Sequence, residues 1–466
     1  MNFTERLVSR DGQPFGVQGR YVSVLEPGVM SVMSMRKADA SSDAQPTRKS
    51  LAEHVREHWN GLCDALSALP KWERPVHVFW LLGPFILLLE RTPADIWLSL
   101  IALIFAGRSI WKRQGWWLRS FWVRAAFLFW AACLVAAAAS PLPAYSLGET
   151  FVWFRFPLFA MAVAFWLGRD RRFVYAMLAS ICAGMLVMCA INAAEMVLVG
   201  QVSGRLSWPY GDLVPGNYLA KACLPAFLVA VALATSARSR VAGVAAVIAC
   251  ISIVASLMTG ERINFLIRAC GGMLAAFAWK PKFVRVVALL AVEGLAVIAA
   301  LVATPGLLYR FFTHFVSEIP VHGESNYFRA MAPGVLAFQE SPLLGIGPGN
   351  LRYLCGDVTG GSAAYDCHPH PHNYYIQMMG EAGIAGLVTG VLFCGSIIWA
   401  CARPAIRNRS NVVVATMWIV PFGFFWPIAS SADFFGQWNN LFMWSALAVA
   451  LAGAQIGSQN SHASKG

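Results

Sequence analysis

The sequence predicts an all-α integral membrane protein, and three observations predict it. Apolar runs of spanning length recur along most of the 466 residues, 58% of the residues are hydrophobic against 13% charged, and mean hydropathy is +0.56. A soluble fold could not bury so many long apolar segments. The net charge of +12 would suggest nucleic acid in a soluble domain. Here the Lys and Arg residues lie in short loops between apolar runs, which is the usual orientation signal of a membrane protein and argues against a nucleic-acid partner.

Residues 1–74 are polar, mixed in charge and free of any long apolar run, and read as a cytoplasmic tail with no signal peptide ahead of it. Met30, Met33 and Met35 leave a later natural start open. Within the tail, 51–68 has the pattern of an interfacial amphipathic helix. About twelve spans follow, at 76–92, 94–111, 121–139, 151–168, 173–199, 218–235, 241–258, 265–279, 286–303, 373–402, 411–429 and 441–457. They divide the chain into nine helices over 75–303, a large loop domain at 304–372, three helices over 373–457 and a short C-terminal tail at 458–466.

Every second connection is basic, as in Arg108, Lys112, Arg113 and Arg119, then Arg169, Arg171 and Arg172, and later Lys280, Lys282 and Arg285. Those loops and both termini should be cytoplasmic, which puts 140–150, 200–217, 259–264, 304–372 and 430–440 outside. Nine of the eleven cysteines avoid these external loops. Cys355 and Cys367 both lie in 304–372, and a disulfide between them is chemically reasonable if that side is oxidising.

Cations that break the positive-inside pattern carry more information. Arg155, Arg205, Lys221, Arg262, Arg268 and Arg329 all fall toward the external side. A cation near membrane depth is costly unless it faces protein, water or an anion, so the set suggests a phosphate or diphosphate ligand. For any one of them the plainer reading is snorkelling or an ion pair with Glu149, Glu195 or Glu261, and for Arg155 or Arg268 alone that reading is preferred.

The segment His368-Pro369-His370-Pro371-His372-Asn373 joins the large loop to a long apolar helix. Its prolines keep the preceding residues extended and place His372 near the helix start. Histidines at alternate positions could hold a metal, but Asp366 is the sole nearby carboxylate, so no metal is expected. An imidazole titrating near its ordinary value, around pH 6–7, is what activation of a hydroxyl requires, and His372 is the candidate base. Gly383 and Gly386, three apart on the following helix, would let a neighbouring helix approach closely.

These residues carry a resemblance. His372-Asn373, nine residues, and then Gly383-x-x-Gly386 resembles the signature of the O-antigen ligase family (WaaL-like). The run Pro342-Leu343-Leu344-Gly345-Ile346-Gly347-Pro348-Gly349-Asn350 resembles the glycine-rich segment ahead of that histidine, and the turn bearing Arg262 resembles the family's short arginine-bearing external loop. The resemblance covers roughly residues 75–457. It implies a GT-C-like glycosyltransferase in the bacterial inner membrane with its active site facing the periplasm.

The donor it implies is a glycan on undecaprenyl diphosphate, and the acceptor is a sugar hydroxyl of lipid A–core, in lipopolysaccharide biosynthesis. His372 would be the base, Arg262 and Arg329 would grip the diphosphate, and Arg205, Lys221 and Arg268 would be weaker contacts. Transfer would invert the anomeric centre with no metal or other cofactor. Protein O-oligosaccharyltransferases and O-antigen polymerases share much of the pattern and stay open, as does a transporter of a lipid-linked anion, for which broken, repeat-related helices would be expected.

The alternation of basic loops makes a direct prediction. In a variant lacking Cys355 and Cys367, a cysteine placed within 304–372 should be labelled from outside and one replacing Ser239 should not, both scored against the parent variant. Labelling at position 239 from outside would overturn the arrangement.

Overall fold

Among the described residues, seven helices are long and apolar enough to cross a membrane: Arg91–Trp111, Phe121–Ala138, Pro143–Leu167, Arg171–Leu198, Arg240–Met258, Phe283–Ala303 and Tyr374–Arg407. Pro215–Ala222 and Leu224–Ser236, bent by 58° at Cys223, make an eighth if counted as one span. At 1.5 Å per residue, 18 residues or more reach most of the way across a hydrocarbon layer of about 30 Å. The chain is thus an all-helical, multi-pass membrane protein. The computed structural model describes residues 51–211, 215–236, 239–317, 325–428 and 430–463, and Ala52–Gly466 forms one compact unit. Most of the expected N-terminal tail lies outside the described residues, whose first helix, Leu51–Ala68, coincides with the segment expected to be amphipathic.

The other expected spans are helical too, and all but the last are shorter or broken. Residues 76–92 divide into Glu73–Leu81 and Gly83–Leu89, because Pro84 supplies no N–H to continue the first helix. A Cβ at Gly83 would also sit 2.1 Å from the Trp97 ring, so only glycine fits that approach. The segment at 265–279 is the 17-residue helix Arg262–Ala278, and 411–429 divides into Val412–Thr416 and Ile419–Phe424. Gln437–Ala463 is buried on nearly every face from Leu441 to Ile456 and packs against Tyr374–Arg407 and Arg155–Ala162. Phe283–Ala303 is peripheral, with Val284, Leu295, Ile298 and Val302 exposed as they would be toward lipid.

The feature that positions the site is a break in Tyr374–Arg407. Gly383 adopts φ 64° and ψ −163°, which frees backbone groups on both sides of it. The Pro342–Gly347 loop takes them up. Ile384 N donates to Pro342 O at 2.9 Å and Ala385 N to Leu343 O at 3.5 Å, while Ile346 N donates to Gly380 O at 3.1 Å and Gly347 N to Glu381 O at 2.8 Å. Unsatisfied backbone at membrane depth costs several kcal/mol per group, so the break and the loop need each other.

The expected helix-packing role of Gly383 is therefore replaced by a closer one. A Cβ there would lie 2.3 Å from the Leu343 backbone, and one at Gly345, also at positive φ, 2.4 Å from the Glu381 backbone. Asn350, fully buried, ties the same loop to the end of Phe121–Ala138 by donating to Ser140 Oγ at 3.1 Å and to Ile346 O at 2.8 Å.

Alanine at either glycine combines a disfavoured φ with overlap against backbone that cannot move, a loss of about 3 kcal/mol or more. Gly383→Ala and Gly345→Ala should therefore lose monodisperse protein in detergent. Gly356→Ala, in the exposed face of Leu351–Val358 with nothing within 4 Å, should be neutral. Normal thermal unfolding of both glycine variants would refute the pairing.

Candidate active site

The loop–helix pairing sets the histidine segment at one wall of a cavity of about 320 Å³. Pro371 is buried against Gly334, where a Cβ would come within 2.9 Å of it, so the Asn326–Glu340 helix backs the segment. Asn373 caps the next helix, its Oδ1 accepting from Tyr375 N at 3.0 Å and Ile376 N at 3.2 Å, and its Nδ2 donates to Pro427 O at 2.8 Å. His372, one residue earlier, is held at φ +53°, and its carbonyl accepts from Ser431 N at 2.7 Å. A non-glycine residue held in the left-handed region marks a position where surrounding structure dictates side-chain direction.

The other walls are cationic. Among the described residues, Arg205, Lys221, Arg262 and Arg310 line the cavity, with Glu261 the carboxylate among them. Arg205 lies in a loop organised by buried Glu195, which accepts from Ser207 N at 2.8 Å, Ser207 Oγ at 3.0 Å and Trp208 N at 2.8 Å. Glu195 thus satisfies backbone instead of pairing with a cation. Arg205 itself lies 3.4 Å from Glu261 Oε1. Arg262 begins the Arg262–Ala278 helix, so that helix's positive end also faces the cavity through Arg262, Ile263 and Asn264. Its guanidinium lies 5.7 Å from the Phe315 ring centroid. Arg310 donates from Nε to Gly260 O at 2.7 Å.

Lys221 sits in the π-helical turn Tyr218–Ala222, just before the bend, and is 6% exposed. It donates to Asn439 Oδ1, and Asn439 Nδ2 donates to the Tyr374 hydroxyl at 3.3 Å, linking this cation to the helix that follows His372. Arg268 is fully buried and lies off the lining. It donates to Leu219 O, inside the same π turn, and to Ser252 Oγ, with its guanidinium 4.1 Å from the Phe227 ring centroid. It therefore serves the carbonyl of the turn that carries Lys221.

Arg329 also lies off the lining. It bonds Asp366 Oδ1 and Ala363 O, both at 2.9 Å, and Asp366 N donates back to Arg329 O at 3.1 Å. Cys355 and Cys367 form a disulfide beside this clamp, with Cα atoms 5.6 Å apart. Arg329 and the disulfide together frame the start of the histidine segment. Arg155 pairs with Asp95 at 2.6 Å, a partner absent from the carboxylates considered in the sequence.

The three histidines converge. The His372 ring centroid lies 4.4 Å from that of His370 and 5.1 Å from that of His368, and both His370 and His372 line the cavity. Among the described residues no group of three or more His, Cys, Asp or Glu side chains is arranged to hold a metal ion. Burial chiefly, with His370 and His368 adding to it, pushes the His372 imidazole down to about 4, and burial does the same to His370. The expected titration at pH 6–7 is therefore displaced downward. Both rings are neutral near pH 7 and able to accept a proton. Burial raises the Glu261 carboxyl, with Arg205, Arg310, Lys221 and Arg262 acting in the opposite sense.

Arg310, Glu261 and His370 join the cavity without having been singled out for it by the sequence. Arg310 has no motif around it, and only its spatial neighbour Gly260 reveals its place. The arrangement offers neutral imidazoles, three guanidinium groups, the buried Lys221 amine and a helix N-terminus around one space. That inventory suits a reaction in which a hydroxyl loses a proton while an anionic group departs.

Residues 224–391 match the family described as O-Antigen ligase (Wzy_C). The match takes in His372, Arg262, Arg268, Arg310, Arg329 and the glycine-rich loop, while Arg205 and Lys221 precede it. No curated protein matches the chain. Among solved structures, a chain from one described as "Structural coordination of polymerization and crosslinking by a peptidoglycan synthase complex" aligns with a TM-score of 0.42 and 15% identity. The alignment covers 72% of this chain and 97% of that one, and a likeness at that level carries no argument about activity. Residues 224–391, roughly a third of the chain, are thus similar to the O-antigen ligase family.

Proposed function

We propose that the protein is an O-antigen ligase that transfers a glycan from undecaprenyl diphosphate to a sugar hydroxyl of lipid A–core, at the periplasmic face of the inner membrane. In this reading there are about twelve spans, both termini are cytoplasmic, and 304–372 is the periplasmic domain. The observation that carries it is the meeting of His372 with Arg205, Lys221, Arg262 and Arg310 around one cavity.

The chemistry follows from those groups. The neutral His372 ring accepts the proton of the acceptor hydroxyl as that oxygen bonds to the anomeric carbon. The bond from that carbon to the diphosphate oxygen breaks, and the electron pair leaves with the diphosphate. Arg205, Arg262, Arg310 and Lys221 neutralise the departing charge, the guanidinium groups as planar two-pronged donors. Attack from the face opposite the diphosphate inverts the centre. Because side chains supply the positive charge, the reaction needs no divalent ion in this reading. Arg329 and Arg268 act through position, the first on the histidine segment and the second on the turn bearing Lys221.

Purified protein given lipid-linked glycan should transfer it to lipid A–core, and EDTA should leave turnover nearly unchanged. Transfer to a pilin-like protein instead would make it a protein O-oligosaccharyltransferase, and restoration of an EDTA-inactivated enzyme by one particular metal would return the histidines to a metal site. Arg262→Lys keeps the charge but loses the fork geometry, so it should lose much of the activity and Arg262→Ala more.

His372→Ala should lose about 10²–10⁴-fold in transfer while donor binding persists. Because the neutral ring is the active form, kcat/KM should rise through about pH 4 and be level by pH 6. The bound diphosphate favours the imidazolium, so the limb in kcat should lie at higher pH than that in kcat/KM. Near-normal transfer by His372→Ala with the limb intact would remove His372 as the base.

A further inference from the structure

Two polar side chains in the cavity wall have no use in the mechanism above. The Ser431 hydroxyl is buried without a hydrogen-bond partner, the buried ring nitrogens of His370 meet at most the Ser431 backbone, and both residues line the cavity beside His372. Leaving such a group unmet is costly, and native structures seldom do so without reason. The backbone that carries each group is held in place. His370 lies between Pro369 and the buried Pro371, and the Ser431 backbone N–H is engaged with the His372 carbonyl at 2.7 Å. The His370 ring centroid is 4.4 Å from that of His372, so both rings can meet neighbouring groups of one small ligand.

Their chemistry differs from that of the cationic walls. A neutral imidazole offers one donor and one acceptor, and a serine hydroxyl offers both, which suits hydroxyl groups rather than an anion. Burial and nearby positive groups keep His370 neutral across the physiological range, its imidazole pushed down to about 4.

We propose that His370 and Ser431 form an acceptor subsite, which holds hydroxyl groups of the acceptor sugar adjacent to the one that His372 deprotonates. This inference rests on the reading of the cavity as a glycan-transfer centre. It assigns His370 to positioning and leaves proton transfer to His372. The acceptor class it selects is a pyranose or similar ring with a free hydroxyl beside the attacking one.

The test uses the full chain in detergent with His370→Ala, His370→Gln and Ser431→Ala, the last of which keeps the backbone N–H that holds His372. Loss of one or two hydrogen bonds should raise the KM for lipid A–core about tenfold in His370→Ala and about threefold in Ser431→Ala. The kcat at saturating acceptor should stay within about threefold, donor binding should not change, and the acidic limb of the pH profile should remain. His370→Gln, which retains a donor and an acceptor, should recover part of the loss. Binding of core oligosaccharide freed of its acyl chains, measured without turnover, should weaken by the same factors.

A fall in kcat with KM unchanged would place His370 in the chemical step or in packing, and unchanged KM and oligosaccharide binding would make the pair inert. Either result overturns the subsite. If His370→Ala fails to accumulate, the other two variants decide. Absence of transfer by the wild-type protein from any lipid-linked donor would instead defeat the ligase reading, while the oligosaccharide titration would still report on His370 and Ser431.

Discussion

The backbone pairing between the Pro342–Gly347 loop and the broken helix at Gly383 is the constraint on which the rest of the site depends. A helix interrupted in the apolar layer must find partners for the groups it frees, and here the partners come from a loop outside the spans. Once Gly380, Glu381, Ile384 and Ala385 are joined to that loop, the Asn326–Glu340 helix that leads into it lies against Pro371 and Gly380. The segment from Asn326 to Pro371 is therefore anchored to the same helix that starts beside His372. Arg329, Asp366 and the Cys355–Cys367 disulfide close the other side of the segment. The base role proposed for His372 would need this kind of support, because an error of about an ångström in position weakens catalysis sharply.

The cationic walls follow a second constraint. Lys221 is almost wholly buried, and Arg205, Arg262 and Arg310 share its cavity with Glu261 as the one lining carboxylate among the described residues. Charges removed from water are expensive unless opposite charge or good hydrogen bonding compensates them. Basic side chains gathered on one cavity suit the diphosphate of the proposed donor, and a low-dielectric setting would strengthen its hold. Low basicity of the two cavity histidines is consistent with this design, since neutral rings add no further positive charge and can accept a proton or bond a hydroxyl.

Much of this was legible in the chain because lipid imposes simple rules. Apolar runs, basic loops and the placement of cysteines outline the helices, and His372, Arg205, Lys221 and Arg262 stand out as polar residues at the edges of spans. Residues whose meaning depends on partners far away in sequence were harder to read. Gly383 and Gly345 each suggest close packing, but nothing local says that they pack on each other's backbone. Arg329 and Arg268 resemble ligand contacts in sequence, and only Asp366 and the Leu219 carbonyl show what they serve. Arg310 carries no motif. The lowered basicity of His372 depends on burial, with His370 and His368 adding to it, and burial is not written in the local sequence. The break at Gly83-Pro84, by contrast, is a local signal that apolarity alone obscured.

The central claim is that one cavity holds the diphosphate of a lipid-linked donor next to His372. A cryo-electron microscopy structure with a non-transferable lipid-linked donor analogue would test it most directly. The account predicts diphosphate density among Arg205, Lys221, Arg262 and Arg310, with the anomeric carbon facing His372. Diphosphate bound at Arg329, or anywhere that leaves this cavity empty, would contradict it.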